Sequence, residues 1–156
     1  MKFKTMFALA IGVSAISTNW AMTVSAQPPT GAAKTGLELT VEVTDIKHRD
    51  GQLIIAVYDR KEAFPNKFKK AVSLVKTSPN KPKVTINKLK PGNYAVVVIH
   101  DRNKNNEIDK SFVGMPKEPI GVSNFKTIGM TNPPNFQKAL FSLKKSSRLK
   151  VKLISL

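Results

Sequence analysis

The chain has 156 residues, a formal net charge of +16 and no cysteine. Without thiols there is no disulfide framework and no thiolate metal site, so the fold must rest on apolar burial alone. Two separated histidines, His48 and His100, are too few for a transition-metal centre.

The N-terminus has the layout of an export signal. Lys2 and Lys4 form a short basic region, and an apolar run from Met6 to Ile16 follows. That run is too short for a bilayer crossing, which takes about 20 residues. Val24-Ser25-Ala26 then offers small residues at a cleavage site, before the change of composition at Gln27-Pro28-Pro29. The expectation is a cleavable signal peptide over residues 1–26, the alternative being an uncleaved anchor. No cysteine follows for lipid attachment, and no later segment is long and apolar enough to span a membrane. The mature protein is expected in the periplasm or outside the cell.

The 130 residues that remain make one domain, carrying +14 once Lys2 and Lys4 are gone. Such an excess attracts polyanions. For an exported protein the expected partner is an anionic envelope component, a glycan or a lipid head group, or another envelope protein, and not nucleic acid. The lysines are spread along the chain, from Lys67, Lys69 and Lys70 to Lys150 and Lys152, so a merely solvated surface is the competing reading.

Residues 27–36 are rich in Pro, Gly and small side chains and read as a flexible leader. Leu37, Leu39, Val41 and Val43 alternate with Glu38, Thr40, Glu42 and Thr44, the period of a half-buried strand. Asp50-Gly51 supplies a turn. Leu53–Tyr58 is apolar on both faces and is expected as a central strand. Pro65 limits helix in residues 60–70 to about one turn. Strands follow at Val72–Lys76 and Val84–Leu89, and Pro91-Gly92 marks a turn in which Gly takes a positive φ before the run Ala95–Ile99. The last strands fall near Ala139–Leu143 and Leu149–Leu153. About seven short strands with regular turns define an all-β sandwich over residues 37–156, of the Ig-like or transthyretin-like kind.

One segment has the pattern of a ligand loop. In His100–Asp109, the residues Asp101, Asn103, Asn105 and Asp109 fall at places one, three, five and nine, with the Glu107 carbonyl at seven. A Ca²⁺ loop draws its oxygens from such positions. Against it, place six is Asn106, place twelve is Phe112 where a bidentate Glu belongs, and Arg102 and Lys104 add positive charge. The alternative is a loop whose Asx side chains bond their own backbone. The next stretch, Phe112–Asn124, is stiffened by Gly and Pro and exposes apolar side chains. Its Phe112, Gly114, Pro116, Glu118, Pro119, Ser123 and Asn124 join His100 and Asp101 as candidate binding residues.

Catalysis has little to stand on. A hydrolase centre at His100, Asp101 and Asp109, with Ser123 as nucleophile, can be assembled from the residue types, but their spacing does not require it. The expectation is a non-enzymatic module that binds through its end loops. A calcium-stabilised structural domain is the second reading and a hydrolase the third.

His100–Asp109, Phe112–Asn124 and Pro133-Pro134-Asn135-Phe136 together resemble a family of exported bacterial proteins filed as domain of unknown function 2141. The resemblance runs from about Leu37 to Leu153 and takes in Tyr58-Asp59, Phe64-Pro65 and Leu89-x-Pro91-Gly92-x-Tyr94. Members of that family usually carry Gly around these positions, where this sequence has Lys104 and Asn106. The resemblance implies an exported sandwich and brings with it no activity and no catalytic residues.

Overall fold

The computed structural model describes residues 36–112, 114 and 116–155. The expected signal peptide, and the leader up to residue 35, lie outside the described residues.

Eight strands form two sheets among the described residues. In chain order they are β1 (Leu37–Thr44), β2 (Gln52–Tyr58), β3 (Ser73–Thr77), β4 (Lys83–Leu89), β5 (Gly92–Asp101), β6 (Ile120–Val122), β7 (Phe141–Leu143) and β8 (Ser147–Lys152), with one helical turn, α1 (Phe136–Ala139). The smaller sheet has the order β4-β1-β8, with β1 antiparallel to β4 and parallel to β8. The larger runs β3-β2-β5-β6, and β7 pairs with the opposite end of β5. Two bonds between Ile120 and Ile154 stitch β6 to the chain that leaves β8.

The alternation along β1 buries Leu39, Val41 and Val43 against Leu53, Ile55 and Val57 of β2 and Val96 and Val98 of β5. This is the layer between the sheets, as the period of two requires. The two-faced apolar character of β2 and β5 has a separate cause. Their other face, formed by Ile54, Ala56, Tyr58, Ala95, Val97 and Ile99, is roofed by chain rather than by a third sheet. Ala63, Phe64 and Phe68 cover it from the segment after β2, and Phe125, Ile128, Phe136 and Ala139 from the long excursion after β5. The two roofing segments meet edge-on at Phe64 and Phe136, 5.6 Å apart, and Phe64 also packs edge-on against Tyr58 of β2 at 5.7 Å. Burial pushes the Tyr58 phenol pKa up, and its hydroxyl donates to the Pro65 carbonyl at 3.0 Å.

Three local expectations are corrected. Ile120–Val122 is a strand within what reads as a loop, because β5 on one side and Ile154 on the other supply partners. The expected strand at 139–143 begins as the helical turn α1, capped by the Asn135 side chain, which accepts from the Lys138 amide. Gly92 opens β5 without a positive φ; the nearest left-handed residue, Lys88 at 62°, lies inside β4, where its register with β1 shifts. Tyr94 closes this turn instead, its hydroxyl donating to the Lys90 carbonyl at 2.8 Å.

Candidate functional site

The loop that leaves β5 is built on Asp101, which is fully buried. One carboxylate oxygen accepts from the Asn105 amide at 3.2 Å; the other accepts from the Asn106 amide at 2.9 Å and from Gln52 Nε2 at 2.7 Å. Asn103 Oδ1 accepts from the Asn105 amide, and Asn105 Oδ1 from the Glu107 amide. These are the backbone-directed bonds by which Asx side chains wind a tight loop. Lys104 and Asn106 take left-handed φ values of 62° and 66°. Asn106 thus does the work expected of Gly at that place, as Asn can.

The fit to a calcium ion is poor in this arrangement. The Asn103 and Asn105 side chains turn their NH₂ groups, at 2.7 and 2.8 Å, onto the two oxygens of Asp109. The oxygens a cation would need are thus engaged by N–H donors. Phe112, at place twelve, is fully exposed and brings no carboxylate. Glu118 comes instead from further along the chain: its carboxylate is buried and accepts from the Arg102 amide at 3.1 Å and weakly from the Asp109 amide at 3.4 Å. Burial raises the Glu118 pKa, the charges of Asp101 and Asp109 add to that, and the two amide donors oppose it.

His100 and Asp101 are neighbours in sequence but point to opposite faces of the sheet, as successive strand residues do. The His100 ring is buried, and its Nε2 lies 2.8 Å from the Asp50 carbonyl. Since a carbonyl only accepts, Nε2 carries the proton. Arg102 Nε bonds the Asp50 carboxylate at 2.9 Å and lowers its pKa. Gly51, at φ 75°, lets the Asp50 turn lie on this strand end: a Cβ there would stand 2.3 Å from the Asp101 carbonyl oxygen. Ser123 sits along β5 at Val96, four residues from His100 or about 13 Å at strand rise. Its hydroxyl donates to the Ala139 carbonyl at 2.6 Å and accepts from the Val96 amide at 3.0 Å. The hydrolase set is therefore divided: Asp101 and Asp109 share the loop, His100 serves the turn across the sheet, and Ser123 anchors α1. The Pro119 carbonyl accepts from the His100 amide, and the exposed Asn124 donates to the Leu140 carbonyl at 2.7 Å.

The open surface lies beside this loop. A groove of about 640 Å³ runs along the outer face of the larger sheet, between the 106–110 segment on one side and residues 66–76 on the other. Ile54, Phe68, Leu74 and Ile108 give it apolar walls, with Leu74 on the edge strand β3 left 43% exposed. Lys67, Lys69, Lys70, Lys76 and Lys110 surround it, against the one acidic lining residue, Glu107. Lys76 reaches across to Asn106 Oδ1 at 2.6 Å, while Lys67, Lys69, Lys70 and Lys110 make no ion pair among the described residues. A second cavity of about 360 Å³ shares Asn66, Ile108 and Lys110 with the first and is lined by Gly114, Pro116, Ile120, Met130 and a run of prolines.

Of the candidate residues expected from sequence, Glu107, Gly114 and Pro116 line these grooves; His100, Asp101, Glu118 and Ser123 are buried and hold the framework. The lysine wall at 67–76 is the part sequence reasoning missed. Its signal was there, in Lys67, Lys69 and Lys70 around Phe68, but nothing local says that this segment faces the Asx loop.

Two sheets packed face to face, with a long loop excursion roofing one of them, make this an all-β sandwich. The chain belongs to the family described as an uncharacterized protein conserved in bacteria, domain of unknown function 2141, whose model matches residues 41–151. Searches of curated proteins and of solved structures find no match.

Proposed function

We propose that the chain is an exported, non-enzymatic binding module, carried out of the cytoplasm by residues 1–26, that holds an anionic envelope component in the groove between residues 66–76 and 106–110. The observation that carries this reading is the cluster of four lysines that make no ion pair among the described residues, set around apolar walls. Unneutralised charge at a concave, partly apolar surface raises the local concentration of anions and gives them a low-dielectric face to contact. The Asx loop serves as a metal-free latch that fixes one wall of the groove. The division of His100, Asp101 and Ser123 among three structural duties supports a role other than catalysis.

The reading is tested by retention on lipopolysaccharide or heparin resin, comparing two charge reversals of equal size. Lys69→Glu with Lys70→Glu alters the groove; Lys144→Glu with Lys145→Glu alters the turn between β7 and β8, at the other end of β5. The groove pair is expected to elute at markedly lower salt than the control pair. Equal losses would mean that net charge alone sets the retention.

A further inference from the structure

We infer that the ligand of this groove is a single-chain anionic amphiphile, bound as a monomer with its head group among the lysines and its chain in the adjoining apolar cavity. The inference rests on the binding reading above and deepens it. Its basis is the joining of two unlike spaces. The larger groove is rimmed by Lys67, Lys69, Lys70 and Lys110, while the smaller cavity, reached across the shared Ile108, is lined chiefly by apolar and proline side chains and by no carboxylate. Met130 stands at its border, 78% exposed, one of four large apolar side chains left open among the described residues; Leu74 in the first groove is another. A cationic rim continuous with an apolar slot matches a molecule with an anionic end and a hydrocarbon end. A glycan would leave the slot unused, and a neutral lipid would leave the lysines unpaired.

The test is calorimetric titration of the purified protein with dodecyl phosphate below its micelle-forming concentration, beside inorganic phosphate and dodecyl maltoside. The expected result is saturable one-to-one binding of dodecyl phosphate, at least about tenfold (about 1.4 kcal/mol) tighter than either control. Lys69→Glu with Lys70→Glu, and Met130→Asp alone, are each expected to weaken it several-fold; both alter exposed side chains, so far-ultraviolet circular dichroism should be unchanged. If the lysine pair matters while Met130→Asp and the removal of the dodecyl chain do not, the anion-binding reading stands and the amphiphile is overturned. If neither variant changes the affinity, or nothing binds, both fail. Association only with vesicles rich in acidic lipid, without monomer binding, would make this a membrane-facing surface and overturn the inference.

Discussion

The two walls of the groove are built on opposite terms. On one side, residues 100–109 form a closed device: Asp101, Asn103, Asn105, Asp109 and Glu118 spend their oxygens on N–H donors. No buried side-chain polar atom among the described residues is left without a partner. On the other side, residues 66–76 carry four lysines, of which only Lys76 makes a side-chain hydrogen bond among the described residues, and a part-exposed Leu74. A satisfied network contributes rigidity and offers a ligand little. An unsatisfied charged surface contributes little to stability and is open to a partner. On the proposed reading, the latch belongs to architecture and the lysine wall to recognition.

Damage to the latch should therefore appear in stability, and damage to the lysine wall in binding. The largest effect is expected at Gly51, where a Cβ would meet the Asp101 carbonyl at 2.3 Å and φ is positive. Gly51→Ala should cost about 3 kcal/mol or more in chemical denaturation. Asp101→Asn comes next, since it turns one acceptor of a three-donor carboxylate into a donor; about 1–3 kcal/mol is expected from the same measurement. Either result falling near zero would mean that the latch is not the closed device described.

Glu118 gives a finer probe, read as pH dependence. Its pKa is raised in the fold, so the folded state holds the proton more tightly than the unfolded chain. The stabilisation this brings is complete below the ordinary glutamate value of about 4.3 and is lost as pH rises through the raised value. Glu118→Gln should flatten the fall in melting temperature across that window, and an unaltered profile would show that another group sets it. At the small end, Lys69→Glu with Lys70→Glu should shift stability by no more than about 0.5 kcal/mol, because both residues are exposed. EDTA should leave the melting temperature unchanged, whereas a drop would restore calcium to the latch.

Much of the framework is legible in the sequence because it is local. The alternation of Leu39, Val41 and Val43 defines β1; Asp50-Gly51 defines a turn that only Gly can close; the Asx spacing defines a tight loop. Where the pattern is silent, the interaction is long-range. The parallel pairing of β1 with β8 joins residues more than 100 apart, and β6 is a strand only because Ile99 and Ile154 flank it. The candidate site divides the same way. The loops after β5 are marked by composition, but the facing wall is a short lysine-rich segment brought in by the roofing of Tyr58 and Phe136 around Phe64.

Backbone amide shift mapping during titration with a soluble lipopolysaccharide or heparin fragment would show whether recognition is confined to the lysine wall and its groove. Perturbations should concentrate at residues 66–76 and 106–110, with residues 144–148 unmoved. Shifts spread over lysines all along the chain, those at 144, 145, 150 and 152 included, would contradict that confinement.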